Sequence, residues 1–152
     1  MHKKYFSPGN DVGVFYCKKM KNIEHIGIAV KNMASANELF AKLFGKKPYK
    51  SERVEKEGVI TSFFRMGDVK IELLEAAGSD SPISKFIEKR GEVIHHIAFE
   101  VEDIKLEMKR LEKEGFILLS KEPQKGADNK LICFLHPKST NGMLVELCQE
   151  FT

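Results

Sequence analysis

The 152 residues of the chain, 42% hydrophobic and 31% charged, suit one domain or two small repeats that share a core, and no stretch reaches the roughly 20 consecutive apolar residues of a membrane-spanning helix. The net charge of +3 comes from residues 1–21, because these hold five lysines and one aspartate while the other 131 residues carry 20 basic and 21 acidic side chains. This nearly neutral body argues against a nucleic-acid partner, and the three cysteines, which have no paired spacing, argue against a disulfide scaffold.

Residues 1–20 are predicted to form a basic N-terminal extension without stable structure. The segment has no apolar run long enough for a secretory signal and is poor in arginine for a mitochondrial transit peptide. Together with the unpaired cysteines, it favours a cytoplasmic protein.

The first module is predicted over residues 21–78. Its opening octapeptide, IEHIGIAV (23–30), alternates and is rich in β-branched residues, which is typical of a strand with one buried face. A capping box of Ser35 and Glu38 predicts the start of a helix, and Gly45 predicts its end. Two further strands are predicted at 59–66 and 69–76.

The second module, predicted over residues 93–150, repeats this plan. IHHIAFEV (94–101) matches IEHIGIAV, so that His96 falls on His25. A helix is predicted between Asp103 and Gly115. The remaining strands are predicted at 116–120, 131–136 and 143–148, and a linker helix at 79–92. The pattern predicts an α+β fold of two tandem βαβββ modules.

Each module places one histidine and one glutamate in otherwise apolar strands. The separation is 47 residues from His25 to Glu72 and 50 residues from His96 to Glu146. A lone histidine or glutamate in a strand is more often structural, but carboxylates are rarely buried without a partner, and two matched pairs favour a shared site. Two imidazoles and two carboxylates suit Co²⁺, Ni²⁺, Mn²⁺ or Zn²⁺. We therefore predict His25, Glu72, His96 and Glu146 as ligands of one divalent metal ion.

The other polar candidates carry weaker signals. His95 aligns with Glu24, so strict alternation sends it to the opposite face as a structural residue. His136 lies at a strand-to-turn junction and is either a loop histidine or a substrate contact. Lys138 and Ser139, in the turn that follows, are candidate substrate-binding residues, and the alternative for Lys138 is a solvated turn lysine.

Four segments resemble the vicinal-oxygen-chelate superfamily, which includes glyoxalase I, extradiol dioxygenases and bleomycin-resistance proteins, and they are most similar to its methylmalonyl-CoA epimerases. The segments are IEHIGIAVKNM (23–33), IELLEAAGSDSPISKFIEKRGE (71–92), IHHIAFEVEDI (94–104) and FLHPKSTNGMLVELCQ (134–149). The resemblance implies a curved mixed sheet around a shared metal-binding cleft and a homodimer. It makes His25, Glu72, His96 and Glu146 the metal positions, with Co²⁺ as the foremost metal.

The implied reaction interconverts (2R)- and (2S)-methylmalonyl-CoA, which requires a base on each face of the substrate. We expect Glu146 to be one base, and Glu72 or a residue that the sequence does not identify to be the other. Certain epimerases carry a non-ligand glutamate, proposed as a base, at the position that is Thr61 here. Threonine cannot act as a base at neutral pH, so this departure leaves the second base open.

Two other functions compete with this interpretation. A glyoxalase I-type lactoylglutathione lyase would use the same ligand set, but the turn at residues 136–139 argues against it. A metal-free small-molecule binding protein of the same superfamily would not need ionisable residues at all four positions. An extradiol dioxygenase is disfavoured, since its metal triad has a single carboxylate and its chain is normally longer.

Overall fold

The computed structural model describes residues 20–151, so the predicted extension lies outside the described residues except for Met20. The strands are β1 (Ile23–Ala29), β2 (Lys50–Val54), β3 (Val59–Met66), β4 (Val69–Ala76), β5 (Ile94–Glu100), β6 (Gln124–Lys125), β7 (Lys130–Leu135) and β8 (Val145–Glu150). The helices are α1 (Met33–Phe44), α2 (Pro82–Arg90) and α3 (Ile104–Lys113). None of these helices is long and apolar enough to cross a membrane.

The sheet order, β2-β3-β4-β1-β5-β8-β7-β6, is symmetric about the antiparallel pair of β1 and β5. In each half the first strand pairs in parallel with the last, β1 with β4 and β5 with β8. The sheet curls so that its two ends come close together. The backbone N–H of Asp128, in the loop between β6 and β7, donates to the Glu52 carboxylate on β2 at 2.6 Å. This curled mixed sheet confirms the predicted α+β fold of two βαβββ modules.

The two faces of the sheet have different neighbours. Leu73 on β4 packs with residues of α1, and Leu147 on β8 packs with residues of α3. Because side chains alternate along a strand, Glu72 and Glu146 point away from these helices into the concave side of the sheet. Helix α2 lies within the predicted linker of residues 79–92 and begins at the N-cap Ser81.

Two parts of the strand prediction were wrong. Residues 116–120 form only an isolated bridge, between Leu118 and Leu135. Their backbone pairing with the end of β7 is limited to the Leu119 N–H donating to the Phe134 carbonyl and the His136 N–H donating to the Ile117 carbonyl. Strand β2 was not predicted, since its sequence KSERV is polar and none of its residues is fully buried. The edge strand of the second module is the two-residue β6, not the predicted strand at 116–120.

The helix ends follow local capping rules. The predicted capping box was wrong, since α1 begins one turn earlier at Asn32, whose side chain accepts from the Ser35 N–H at 2.8 Å. Gly45 ends α1 in the left-handed conformation, with φ of 66°, as predicted. Asp103 caps α3, as predicted, and accepts from the Leu106 N–H at 3.0 Å.

The core contribution of α3 is tested by two substitutions of the same type. Leu111→Ala is expected to lower the free energy of unfolding by about 2–5 kcal/mol, because the side chain is 3% exposed and packs against β7 and β8. Leu106→Ala on the same helix removes a side chain that is 54% exposed and is the matched control, with a small expected effect. Urea unfolding of both variants measures the difference, and equal losses would contradict this packing.

Candidate metal centre

The four residues predicted as ligands converge on the concave side of the sheet. The Nε2 atoms of His25 on β1 and His96 on β5 lie 2.9 Å apart. Glu72 Oε2 lies 3.2 Å from His25 Nε2 and 3.6 Å from His96 Nε2. Glu146 oxygens lie 3.7 Å and 3.4 Å from the same two nitrogens. The structure thus brings all four side chains to one point, with one pair from each module.

The chemistry of this donor set fits a divalent cation. All four side chains are buried, with 3% to 6% of each residue exposed, and such a cluster of carboxylates and imidazoles is unfavourable without a compensating charge. Donor atoms of His25, His96 and Glu146 all lie within 4.8 Å of one another. Gly27 leaves room for the cluster, since a Cβ atom there would overlap the His96 ring.

Two β-bulges place a second polar side chain beside each histidine. In the pairing of β1 with β5, the register shifts between Ile23 and His25, and again where Gly27 pairs with His96 and Ile28 with Ile94. The residues left over are Glu24 and His95, which occupy matching places in the two repeats. A bulge re-aims the side chain of the extra residue, and both side chains here contact the neighbouring histidine.

These contacts fix which histidine nitrogen faces the centre. The Glu24 carboxylate is hydrogen-bonded to His25 Nδ1, and His95 Nδ1 lies 2.9 Å from His96 Nδ1. In both histidines Nε2 is therefore the atom directed at the other three side chains. The prediction that His95 lies on the opposite face was wrong, because the bulge interrupts the alternation on which it rested.

Glu24 belongs to a buried charge network that sequence reasoning missed. Lys70 donates to Glu24 and, at 2.7 Å, to Asp128, while Lys130 Nζ lies 3.7 Å from Glu24. Burial opposes ionisation of Glu24, but the bonds from His25 and Lys70 outweigh it and lower its pKa to about 2. Glu24 is thus an anion that holds His25 in place. The signal available in the sequence was a charged residue inside an apolar strand.

The ionisation of the centre is dominated by burial and by mutual charge. Burial opposes protonation of His25, but the carboxylates of Glu72, Glu24 and Glu146 raise its pKa well above the usual range. Burial and the charge of His25 lower the pKa of His96 well below the usual range. Burial raises the pKa of Glu146 to about 8, opposed by His25 and assisted by Glu72. Glu146 is therefore a carboxyl group in an environment that favours holding a proton.

The centre lies in a cavity of about 40 Å³ beside a much larger cleft of about 640 Å³. Glu57, His95 and Phe134 line both spaces, whereas Glu146 lines only the inner cavity. Burial raises the pKa of Glu57 to about 7, and the charge of Glu72 adds to the rise. The inner cavity thus has a polar entrance that opens into a space large enough for an extended ligand.

The turn residues predicted to bind substrate lie elsewhere. His136 accepts from the Lys138 N–H at 3.0 Å, and Ser139 Oγ accepts from the Ile117 N–H at 3.1 Å. None of His136, Lys138 and Ser139 lines the inner cavity or the cleft. In this structure His136 and Ser139 stabilise the turn and hold residue 117 beside it, so substrate binding by the three stays a prediction.

The cysteines of the described part of the chain agree with the prediction. Cys133 and Cys148 are both buried free thiols, whereas Cys17 lies outside the described residues. Burial raises the pKa of the Cys133 thiol above its ordinary value. These two cysteines therefore pack as small apolar side chains.

Comparison with known proteins assigns this fold and site to a family. The family model of the glyoxalase/bleomycin resistance protein/dioxygenase superfamily matches residues 24–134, and the chain belongs to that superfamily. The chain is 40% identical over 129 residues to the ethylmalonyl-CoA/methylmalonyl-CoA epimerase of Cereibacter sphaeroides, covering 84% of this chain and 96% of the relative. It is 38% identical over 140 residues to the mitochondrial methylmalonyl-CoA epimerase of Dictyostelium discoideum, covering 91% and 82%. Within the superfamily, it belongs to the methylmalonyl-CoA epimerase family.

A solved structure shows the same relationship. A variant of the Streptomyces coelicolor methylmalonyl-CoA epimerase in complex with 2-nitronate-propionyl-CoA matches with a TM-score of 0.84 and 31% sequence identity. The match covers 87% of this chain and 96% of that chain. The family resemblance drawn from the sequence is confirmed.

Proposed function

We propose that the protein is a methylmalonyl-CoA epimerase that interconverts the (2R) and (2S) forms of its substrate. The observation that carries the proposal is the convergence of His25, Glu72, His96 and Glu146 in a chain 40% identical to a named epimerase. A glyoxalase I-type lyase and a metal-free binding protein are the alternatives. The identities to named epimerases favour the first function over both.

His25, Glu72, His96 and Glu146 would hold one divalent metal ion, for which we propose Co²⁺, with Mn²⁺, Ni²⁺ and Zn²⁺ as alternatives that the same donors accept. When bound, the ion would supply the positive charge that makes a proton next to a thioester acidic enough to remove. Elemental analysis of the purified protein identifies the metal.

The protein's own residues would move the proton. Glu146, a buried carboxyl group at the floor of the cavity, would transfer it on one face of the substrate. A second carboxylate, Glu72 or another group facing the cavity, would act on the other face. The larger cleft would hold the coenzyme A arm, and the small inner cavity would exclude water from the reacting carbon.

Exchange of the C2 proton of methylmalonyl-CoA in D₂O, followed by NMR, tests the function. The protein is compared as purified, after chelation and after reconstitution with Co²⁺. We expect metal-dependent deuterium incorporation with loss of configuration. Metal-loaded protein without exchange would reject the epimerase and call for the glutathione hemithioacetal assay, while no exchange and no bound metal would favour a binding protein. Ethylmalonyl-CoA is the second substrate to assay, since the name of the Cereibacter relative includes it.

Glu24 is expected to act as a positioning residue for His25. Glu24→Gln is expected to weaken metal binding by about 10- to 100-fold, because partners of ligating histidines fix their orientation and basicity. Glu150→Gln is the matched control, since Glu150 also bonds to Lys130 but has no contact with His25 among the described residues. Competition with a metal indicator dye measures the metal affinity of each variant. Equal affinities of Glu24→Gln and Glu150→Gln would contradict the role of Glu24.

A cytoplasmic location and a homodimer are also proposed. The unpaired spacing of the cysteines supports the first, and the family resemblance supports the second. Cell fractionation and sedimentation velocity at micromolar concentration test them. Methylmalonyl-CoA is the proposed small-molecule partner, and neither a nucleic acid nor a membrane is proposed.

A further inference from the structure

Glu57 is a half-buried residue with one buried carboxylate oxygen and no evident structural role. It ends a 3-10 turn over Glu55–Glu57, between β2 and β3, and Gly58 reverses the chain after it with φ of 62°. Within residues 20–151, Glu57 Oε1 is the one buried side-chain oxygen that has no hydrogen-bond partner. Burying a carboxylate oxygen without a donor costs free energy, so its retention points to a purpose other than stability.

The space around this oxygen is maintained by a neighbouring loop. A Cβ atom at Gly126 would lie 3.2 Å from Glu57 Oε1 and 2.9 Å from the Ile132 side chain. Glycine at this position therefore lets the loop between β6 and β7 pass close to Glu57 without displacing it. The carboxylate is thus held between the two modules, at the entrance to the inner cavity.

Glu57 and Glu146 reach the cavity from different modules. Glu146 projects from β8 and lines the inner cavity but not the cleft. Glu57 belongs to a turn and lines both the inner cavity and the cleft. A substrate that extends from the cleft into the cavity would therefore have one carboxyl group from each module beside it.

We propose that Glu57 is the second catalytic acid–base of the epimerase, acting on the face of the substrate opposite Glu146. The inference rests on the proposed function. In one direction the Glu57 carboxylate takes the proton from C2, and the electron pair of that C–H bond delocalises into the thioester as an enolate. The protonated carboxyl group of Glu146 then donates its proton to the other face of C2, which inverts the configuration. The reverse reaction uses the same groups in exchanged roles.

The other nearby groups are less suited to this step. Glu72, like Glu146, projects from a strand of the sheet and lines only the inner cavity, so it supplies no carboxylate on the side of the cleft. The Thr61 hydroxyl donates to the Glu52 carbonyl at 3.4 Å and does not line the cavity. His95 Nδ1 lies 2.9 Å from His96 Nδ1, so this side chain is engaged as the neighbour of a donor residue. Glu57, with its pKa raised by burial to about 7, is close to neutral pH, where proton transfer in both directions is most effective.

The test uses Glu57→Gln, which keeps the size of the side chain and removes its proton-transfer capacity. The control is Glu38→Gln, the same change on α1 at a carboxylate whose side chain is 70% exposed and paired with Lys42. Each protein is loaded with Co²⁺, its metal content is measured, and C2 exchange is followed in D₂O starting separately from (2R)- and (2S)-methylmalonyl-CoA.

We expect Glu57→Gln to bind metal fully and to lose epimerisation by about 10²- to 10⁴-fold. It should still exchange the C2 proton of one epimer, with retention of configuration, because Glu146 remains on one face. The control should match the wild type. Wild-type epimerisation by Glu57→Gln would overturn the inference, and so would equal loss of exchange from both epimers in a metal-loaded, folded variant. A wild-type protein that does not epimerise would instead overturn the proposed function.

Discussion

Replacing Glu146 with glutamine is expected to lower the turnover of methylmalonyl-CoA epimerisation by about 10²- to 10⁴-fold, because an amide cannot accept or return a proton. Glu146 is buried, and its oxygens lie 3.4 Å and 3.7 Å from the two histidine Nε2 atoms. Steady-state rates at saturating substrate and metal measure the effect. Glu146→Gln should still exchange the C2 proton of one epimer in D₂O. This epimer should be the one that Glu57→Gln does not exchange.

Metal content separates loss of chemistry from loss of the ion in this experiment. A glutamine side chain keeps one oxygen as a donor, so saturating Co²⁺ is expected to restore metal stoichiometry but not turnover. A Glu146→Gln variant with full metal and wild-type turnover would remove Glu146 from the mechanism. If Glu146→Gln regains full turnover when metal is added, Glu146 is a metal ligand without a role in proton transfer.

Removing one histidine should take away most of the stabilisation that the metal is expected to give to the fold. Wild-type protein is expected to gain about 4 kcal/mol when free metal is roughly 1,000 times its dissociation constant, since the four donors converge only in the folded chain. His96→Ala should lose most of this gain, together with activity. Thermal unfolding of each protein with Co²⁺ and with a chelator measures the difference between the two conditions.

Because each protein is compared with itself, the cavity that alanine leaves at His96 affects both measurements equally. Leu106→Ala, with its substitution on the exposed face of α3, should keep the full metal-dependent shift and is the control. A His96→Ala variant stabilised by Co²⁺ as strongly as the wild type would show that the ion binds at another site.

The repeat made most of the fold predictable. The match of IEHIGIAV with IHHIAFEV placed β1 and β5 in equivalent positions, and the apolar alternation gave the bounds of β3 and β4 as the structure has them. The polar strand β2 could not be found this way, because tertiary pairing with β3 rather than its own pattern makes it a strand. The segment 116–120 had the pattern of a strand, but only a single bridge forms there.

The candidate site was predictable only in part, for a similar reason. Matched spacing within the two repeats identified His25, Glu72, His96 and Glu146, which the structure brings together. The bulges at Glu24 and His95 interrupt the two-residue period, so alternation assigned His95 to the wrong face. Glu57 lies in a turn without periodicity, and only the folded chain shows that it lines both the inner cavity and the cleft.

The symmetry of the sheet means that neither repeat is sufficient by itself to form the candidate metal centre. Each module contributes one imidazole and one carboxylate to the centre, two donors where a catalytic metal ion typically has three protein ligands. The centre exists only across the pair of β1 and β5, which has the arrangement of a subunit interface between two copies of one half. The segment that includes α2 makes this association intramolecular, so the halves meet at a high effective concentration whatever the amount of protein in the cell. Covalent linkage also allows the two halves to differ, and they do so here: His25 has a carboxylate neighbour in Glu24, whereas His96 has an imidazole neighbour in His95.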